Sequence, residues 1–535
     1  MDNPFVFAAG PIVPQQRDPE RFRLAILGDF SARGARGPVA TGDALARRRA
    51  IRLDVDTLDT VIAGFAADLA LPIGADGAAV ALRLAALDDL HPDSLYQTVP
   101  LFAELAGLKS QLRAGSTAAA VAARLGEWAE RHGQRVEPPR HGLGTDAVRP
   151  NLSLSEFEKL IGAQPAPRPA GAIDALLAGI VGPHVVQAQG ADAAALAGAI
   201  DAALADTMRA VLHHPEFQVV EVQWRTLDLL VRSIETDEAL DIVLYDVSAD
   251  EIAADLAGAA DLAQSGTARM LSGCADLSAV VGLYTFAETP PHAALLARVA
   301  HIAAHLGTPF VSAVAARGLT QDEDMRHPLT VAAWQALRAL PQAGYLGLAT
   351  PPVLLRRPYG AMGEPCYDLA FEEFTPAEGL GGMVWGNPAA IVAILLARTF
   401  RQSGAGMDLG SEMSVGEMPY HVIKDRHGEA VMLPPVALNL TERSCTRAVQ
   451  RGYMPLLAPR GRDAVRLGSF SGLDGKPLRG PWSGAPLRVA PPSGTGEAMD
   501  EAALAALLAD FEDDGTGGNR PDVDPALAAL LDSLR

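Results

Sequence analysis

Short apolar runs alternate with amphipathic helical patterns along most of the chain. Residues 22–30 (FRLAILGDF) are mainly apolar and end at a Gly-Asp turn, which predicts a buried strand. Apolar residues occupy every second position over 50–56 and again over 80–84, which is the period of a half-buried strand. Between these two, residues 58–69 carry apolar side chains at three- and four-residue steps, which predicts a helix.

The rest of the chain repeats this alternation. Strands are predicted near 242–247, 280–286, 310–314 and 345–349, and helices near 172–211, 217–231, 249–262, 292–306 and 331–340. Strands separated by helices predict an α/β fold of mixed (α+β) character, in which mixed sheets are flanked by helices.

Breaker-rich stretches divide these periodic regions. Pro, Gly and charged residues dominate 137–150 (EPPRHGLGTDAVRP) and the sequence after Trp482. A chain of 535 residues also exceeds one compact core. We therefore predict a flexible leader at 1–20, a first domain at 21–135, a linker with a short helix at 136–171, a second domain at 172–480 and a flexible C-terminal tail with short helices at 481–535.

Charge and composition narrow the class of partner. The net charge of −20 disfavours nucleic acid or an anionic membrane, because both bind clustered Lys and Arg. One basic cluster exists, and it predicts a solvated or inter-subunit face rather than a phosphate site: Arg47, Arg48, Arg49 and Arg52. No segment has the length of an apolar membrane span and the N-terminus has no signal-peptide pattern, so we expect no membrane insertion and a cytoplasmic location.

Cysteine and glycine patterns point to no cofactor. Cys274, Cys366 and Cys445 are far apart, which predicts neither a disulfide framework nor structural zinc. No GxxxxGK[ST] phosphate loop is present, and the glycines of 404–410 depart from the dinucleotide spacing and predict a loop.

The histidines and carboxylates also fit structural roles better than catalysis. His301 and His305 have metal-ligand spacing but lack the following Glu of HExxH, so helix-surface or core histidines are favoured. His213 and His214 are expected to cap a helix end. The acidic groups at 322–324 and 372–373 predict solvated or ion-paired carboxylates. We predict no catalytic site, no metal and no enzyme activity; an unrecognised enzyme remains a third hypothesis, which requires a deep pocket lined by ionisable groups.

Several segments, in their order, resemble the contractile sheath proteins of bacterial type VI secretion. The first domain resembles the small sheath subunit (TssB/VipA type) over residues 22–34, 47–71 and 84–112. The second resembles the large subunit (TssC/VipB type) over about 197–470, through VLHHPEFQVVEVQWRTLDLLV (211–231), LLRRPYG (354–360), FEE (371–373), VWGNPAA (384–390), GYMPL (452–456) and LGSFS (467–471). The motif residues are Gly28, Asp29, Phe30, His91, Pro92, Asp93, His214, Pro215, Phe217, Trp224, Arg357, Pro358, Tyr359, Gly360, Trp385, Gly386 and Asn387.

The resemblance implies a mechanical function. Such subunits polymerise with themselves or other sheath subunits around an inner-tube protein, start from a baseplate, and contract to deliver effectors. An AAA+ ATPase recycles the contracted sheath by gripping an N-terminal helix of the large subunit. The resemblance implies that its docking residues here are Leu154, Phe157, Glu158, Leu160 and Ile161, although an ordinary linker helix fits the same capped pattern.

Two departures from the family pattern leave an alternative open. The two subunits are usually separate chains, whereas both resemblances lie on one chain here. The large subunit ordinarily continues well beyond the position matching Ser471, where this chain has a Pro/Gly-rich tail. The alternative is therefore a sheath-derived accessory or regulatory module of the same machine that does not polymerise.

Overall fold

A nine-stranded mixed sheet organises the chain. The structure is a computed structural model and describes residues 20–36, 39–73, 79–114, 116–132, 193–316, 319, 326–375, 379–424 and 429–483. Its strands are β1 (Phe22–Gly28), β2 (Ile51–Leu53), β3 (Ala67–Pro72), β4 (Ala79–Leu84), β5 (Leu240–Asp246), β6 (Leu277–Phe286), β7 (Phe310–Val314), β8 (Leu346–Thr350), β9 (Val353–Leu354), β10 (Trp385–Gly386), β11 (Ser414–Val415), β12 (His421–Lys424), β13 (Ala430–Leu433), β14 (Tyr453–Leu457) and β15 (Val465–Leu467).

The helices connect these strands and cover both faces of the large sheet. They are α1 (Arg33–Arg36), α2 (Gly42–Ala46), α3 (Leu58–Phe65), α4 (Pro92–Thr98), α5 (Pro100–Arg113), α6 (Ala118–His132), α7 (Ala193–Leu212), α8 (Pro215–Ser233), α9 (Ala249–Gly258), α10 (Gly266–Ser272), α11 (Pro290–Leu306), α12 (Pro328–Ala339), α13 (Ala389–Ser403) and α14 (Glu442–Gln450).

In the strand order β11-β15-β14-β8-β7-β6-β1-β5-β2, the N-terminal strand β1 is an interior strand, third from the edge formed by β2. It pairs in parallel with β5 on one side and with β6 on the other, over nearly its whole length. Strand β2 then pairs antiparallel with the outer side of β5 and ends the sheet. The N-terminal segment therefore contributes two of the nine strands, the edge strand β2 and the interior strand β1.

Side chains of β1 are buried on both faces, as expected for a strand inside a parallel sheet. Leu24 and Ile26 pack in the core that includes buried residues of α7, α8 and α13, whereas Ala25 and Leu27 face the core formed with α9, α11 and α12. Three layers result, with helices on both sides of the sheet.

The remainder of the N-terminal segment packs on one face. Strands β3 and β4 form a separate antiparallel hairpin, and buried residues of α4, α5 and α6 belong to the same core as α7 and α8. An ion pair between Lys109 of α5 and Asp201 of α7, at 2.5 Å, joins the two helices at the surface. The N-terminal and C-terminal segments thus share a core as well as a sheet.

The predicted α/β fold is confirmed, including the strands at 22–30, 50–56 and 80–84. The helix predicted over 58–69 is too long, because it ends at Phe65 and Leu69 lies in β3. Ala66 adopts a left-handed conformation, with φ of 39°, and this breaks the helical path. The leader, almost all of the linker region and the tail after Ser483 lie outside the described residues, so the domain boundaries stay predictions. Within the described part, no helix combines the length and apolarity needed to cross a membrane.

Candidate functional site

The most elaborate polar structure lies where the N-terminal segment (20–132) meets the C-terminal segment (193–483). Two groups of buried charges occupy this boundary. One lies at the ends of strands β1 and β5 and is called the strand-end junction; it comprises Asp29, Arg48, Asp246 and Glu251. The other is called the buried ion cluster; it comprises Glu221, Arg225, Arg356, Tyr359 and Glu373.

The strand-end junction fixes the loop that follows β1. The carboxylate of Asp246, at the end of β5, accepts hydrogen bonds from the backbone N–H of Phe30 at 2.9 Å and from the hydroxyl of Ser31 at 2.7 Å. Arg48 donates to the carbonyl of Asp246 at 2.5 Å and forms a two-pronged ion pair with Glu251. An arginine fork on a carboxylate fixes orientation as well as distance. The loop is therefore held in one register against β5.

Arg48 contradicts the prediction of a solvated or inter-subunit basic face at that position. Its side chain is 13% exposed and forms an ion pair with Glu251 of the same chain. Although burial opposes ionisation of Glu251, the hydrogen bond from Arg48 lowers the pKa of that carboxylate. A positive charge in a basic run can thus be an internal partner rather than a surface feature.

The residues Gly28, Asp29 and Phe30 form the turn beside this junction. Asp29 accepts the backbone N–H groups of Arg33 at 2.6 Å and of Gly34 at 2.9 Å, and burial raises its pKa. The carbonyl of Phe30 accepts the indole N–H of Trp224 at 2.9 Å. Trp224 therefore serves as a core anchor that also joins α8 to the N-terminal segment.

The buried ion cluster centres on Arg356, which lies between two carboxylates. Its Nε is 2.6 Å from Oε1 of Glu221, and its Nη1 is 2.5 Å from Oε2 of Glu373. Arg225 donates to Glu221 and to the hydroxyl of Tyr359, each at 2.7 Å. The guanidinium of Arg356 also stacks over the Tyr359 ring at 4.0 Å. Two arginines and two glutamates balance each other; Glu221, Arg356 and Glu373 are buried, whereas the Arg225 side chain is 16% exposed.

These charges persist at neutral pH. Burial opposes the ionisation of Glu373, but the charge of Arg356 and its hydrogen bonds lower the pKa of Glu373 to about 2. Burial likewise opposes the charge on Arg356, yet Glu221 and Glu373 raise its pKa well above the usual value. Because a buried ion without its partner costs several kcal/mol, each member depends on the others.

The N-terminal segment reaches this cluster through the start of α4. The ring of His91 packs edge-on against the ring of Tyr359, with centroids 4.9 Å apart. The carboxylate of Asp93 accepts the backbone N–H groups of Tyr367 at 2.9 Å and of Asp368 at 3.0 Å. The motif residues of the first domain thus contact those of the second.

Three helices begin at a His-Pro dipeptide, at His91, His214 and His327. In each, Nδ1 of the histidine accepts a hydrogen bond from the backbone N–H two residues later, at 3.1 to 3.3 Å. The proline lacks a backbone N–H, which has no partner within the helix at this first position. Only a neutral ring offers this acceptor. The prediction that His214 caps a helix is confirmed, but it caps the start of α8 rather than the negative end of α7.

The Trp385-Gly386-Asn387 motif turns the chain into α13. The indole N–H of Trp385 donates to the carbonyl of Leu380 at 2.9 Å. The side-chain oxygen of Asn387 accepts the N–H of Ala389 at 2.9 Å, and its amide donates to the carbonyl of Tyr284 at 2.8 Å. The amide of Asn387 therefore links the start of α13 to strand β6.

The structure brings most motif residues together at the segment boundary. Phe217 and Trp224 are buried on α8, Pro92 and Pro215 begin their helices, and Tyr359 lies in the buried ion cluster. Arg357 stacks over the ring of Tyr420, and Pro358 and Gly360 are the sequence neighbours of Tyr359. The docking residues Leu154, Phe157, Glu158, Leu160 and Ile161 lie outside the described residues, as do the acidic positions 322–324.

Sequence patterns single out neither Glu221 nor Arg356. A signal for Glu221 was available, because it follows Val220 and precedes Trp224 on the apolar stripe of α8, where a charge needs a buried partner. The prediction for Glu373 was a solvated or an ion-paired carboxylate; it is ion-paired with Arg356 and fully buried. Nothing in the sequence joins these residues, because Glu221 and Arg356 are separated by 135 positions.

The chemistry available at this boundary is that of binding and packing. The described carboxylates of both groups are engaged by arginines or backbone N–H groups, as above. Burial raises the pKa of all three thiols, and that of Cys366 to about 12, which disfavours the thiolate that a nucleophile requires. What the arrangement achieves is the rigid attachment of one segment to the other.

Comparison with known families gives two matches. The VipB family, described as EvpB/VC_A0108, tail sheath N-terminal domain, matches residues 194–472. The family described as Type VI secretion system, VipA, VC_A0107 or Hcp2 matches residues 19–126. A curated relative, the type VI secretion system sheath protein TssC1 of Pseudomonas aeruginosa, is 30% identical over 290 residues, which cover 50% of this chain and 58% of the relative. The chain therefore spans less than two thirds of that relative.

Replacing Glu373 by glutamine tests the buried ion cluster. The change keeps the volume but leaves Arg356 with an incomplete set of negative partners, so we expect a loss of about 3 kcal/mol or more in the free energy of unfolding. Urea denaturation followed by tryptophan fluorescence measures this. The matched control is Arg232→Ala on α8, the helix that carries Glu221, which removes an exposed ion pair with Asp228 and should cost less than about 0.5 kcal/mol. Equal effects of the two variants would show that the cluster contributes no more than a surface pair.

His214 predicts a loss of stability at mildly acidic pH. Burial lowers its pKa from 6.5 to about 4, so the unfolded chain takes up a proton before the folded one does. The contribution of neutral His214 to the free energy of unfolding should be fully present above pH 6.5. About 3 kcal/mol of it should be lost as the pH approaches 4. His214→Asn keeps a capping acceptor without a titrating ring, so it should match the native chain at pH 8 and lose less stability on acidification. Identical pH profiles for both proteins would contradict this assignment.

Proposed function

The chain belongs to the type VI secretion tail sheath family, with a VipA-type segment fused ahead of a VipB-type segment, and we propose that it is a structural subunit that polymerises around the inner tube. It contracts there to drive effector delivery and catalyses no reaction. Its partners are other copies or other sheath subunits, the inner-tube protein, the baseplate and an AAA+ recycling ATPase, all reached from the bacterial cytoplasm.

The observation that supports this proposal most strongly is the position of β1. It belongs to the VipA-type segment, yet it lies between two strands of the VipB-type segment. A central parallel strand cannot leave the sheet without exposing both of its buried faces and its hydrogen bonds. The fused segments therefore form one rigid unit, which is what a subunit that transmits force requires.

The junction charges support the same role. They tie the loop after β1 to the end of β5, while His91 and Asp93 at the start of α4 contact Tyr359 and Tyr367 of the other segment. Contraction by rigid-body rotation leaves such interior contacts unchanged and alters contacts between subunits. A fused chain also fixes the ratio of the two segments at one to one.

Electron microscopy of the chain co-expressed with its inner-tube protein tests polymerisation. We expect negatively stained tubules with a regular helical repeat, in longer and shorter forms that correspond to extended and contracted sheath. Purified protein without the tube serves as the comparison for spontaneous assembly. Discrete particles under both conditions would reject polymerisation and favour the accessory or regulatory module.

The ATPase contact is proposed for the capped segment around Leu154–Ile161. Replacing Phe157 and Leu160 by alanine removes its two largest apolar anchors, and we expect recovery of the cognate AAA+ ATPase in a pulldown to fall about tenfold. Lys159→Ala, in the same segment, is the matched control and should leave recovery close to that of the native chain. Undiminished binding by the Phe157 and Leu160 variant would show that this segment is an ordinary linker helix.

A further inference from the structure

A large groove lies between helices α12 and α14, away from the segment boundary. Its volume is about 860 Å³. The charged side chains that line it are five arginines and one glutamate: Arg326, Arg338, Arg443, Arg447, Arg451 and Glu442. In a chain whose net charge is −20, this arginine groove is an unusual concentration of positive charge.

The arginines are held in position by interior groups. Arg326 and Arg451 both pair with Glu288, each at 3.1 Å. The Nε of Arg338 donates to the carbonyl of Leu473 at 3.1 Å. Arg443 is exposed and faces no carboxylate within ion-pair distance among the described residues. Guanidinium groups that are held in place suit carboxylate partners, because a guanidinium can bind a carboxylate through two parallel hydrogen bonds.

The floor of the groove is apolar. Trp334 and Tyr453 meet edge to face beneath it, with ring centroids 6.0 Å apart and 3% and 1% of their surfaces exposed, and the half-buried Val331 adds apolar surface beside them. Cationic walls over an apolar floor match a helix that carries acidic side chains on one side and aliphatic ones on another. A small anion such as free phosphate would leave this floor uncovered.

The chain contains a segment of that kind in its own tail. Residues 497–514 (EAMDEAALAALLADFEDD) include seven acidic residues and no basic one. Leu504, Leu507, Leu508 and Phe511 recur at three- and four-residue steps, which predicts an amphipathic helix. Its charge is opposite to that of the groove.

The last described residues already run beside the groove. Leu473 accepts the hydrogen bond from Arg338, and the backbone N–H of Arg479 donates to the carbonyl of Gly344, just after α12. From Ser483, the thirteen residues 484–496 can span up to about 40 Å. A connection of this length keeps the acidic segment at a high effective concentration near the arginines.

We propose that the acidic segment 497–514 docks in the arginine groove of its own chain. Its leucines and Phe511 cover Val331 and Trp334, while its carboxylates bind the arginine walls. This contact does not depend on the proposed sheath function. It gives the tail a defined place on the VipB-type segment and occupies a surface that an acidic region of another protein can reach only by displacing it.

Hydrogen–deuterium exchange of the full chain tests the proposal. Amides of 501–511 should exchange at least about threefold more slowly in the native chain than in a variant whose tail acids are neutralised, D510N/E512Q/D513N/D514N. Arg443→Glu, which changes an exposed side chain of the groove wall, should raise the exchange rate of the same amides about threefold. Arg460→Glu is the matched control, because Arg460 is also exposed but does not line the groove, and it should have no effect.

The same experiment separates the competing arrangements. Protection that persists on tenfold dilution supports docking within one chain, whereas protection lost on dilution would assign the groove to the tail of a second copy and overturn the proposal. Equal exchange of 501–511 in the native and neutralised chains would also overturn it. That result would mean that other acids, such as the sequence-adjacent run 322–324, already satisfy the arginines. Equal effects of Arg443→Glu and Arg460→Glu would show that overall charge, and not the groove, attracts the tail. That result would also overturn the proposal.

Discussion

The pairing of β1 with β5 and β6 is the constraint on which the rest of the structure depends. Phe22 lies opposite Leu240 in the sheet, although more than two hundred residues separate them along the chain. Closing so long a loop costs conformational entropy, which the burial of Leu24, Ile26 and Leu27 on both sheet faces must offset. The N-terminal segment is thus part of the core of its partner rather than a domain placed beside it.

Buried charges determine the register and orientation of the two segments more than the strength of their association. An apolar strand such as β1 could slide along its neighbours, since each register buries similar surface. A carboxylate that needs particular donors, such as Asp246 with Phe30 and Ser31, is satisfied in one register alone. Buried ion pairs often add little net stability over apolar packing, so their contribution here is orientation. Arg356 performs the same task between α8 and the turn at Tyr359.

Sequence patterns predicted the elements well because burial imposes its own period. The doubly buried run at 22–30 and the alternation at 80–84 both became strands, and the stripe through Trp224 became a helix. They failed where a single backbone conformation decided the outcome, as at Ala66, which ends α3 before Leu69. They could show neither that β1 joins the C-terminal sheet nor that Glu221 meets Arg356. Such contacts depend on topology, which periodicity within one segment does not contain.

The proposed function requires a subunit whose interior stays fixed while its contacts with neighbours change. The shared sheet and the strand-end junction make this interior stiff, because any relative movement of the two segments breaks strand pairing and separates Arg48 from Glu251. Fusing the two segments on one chain removes the need for them to find each other, and under the proposed function it leaves assembly and contraction to the outer surfaces of the subunit.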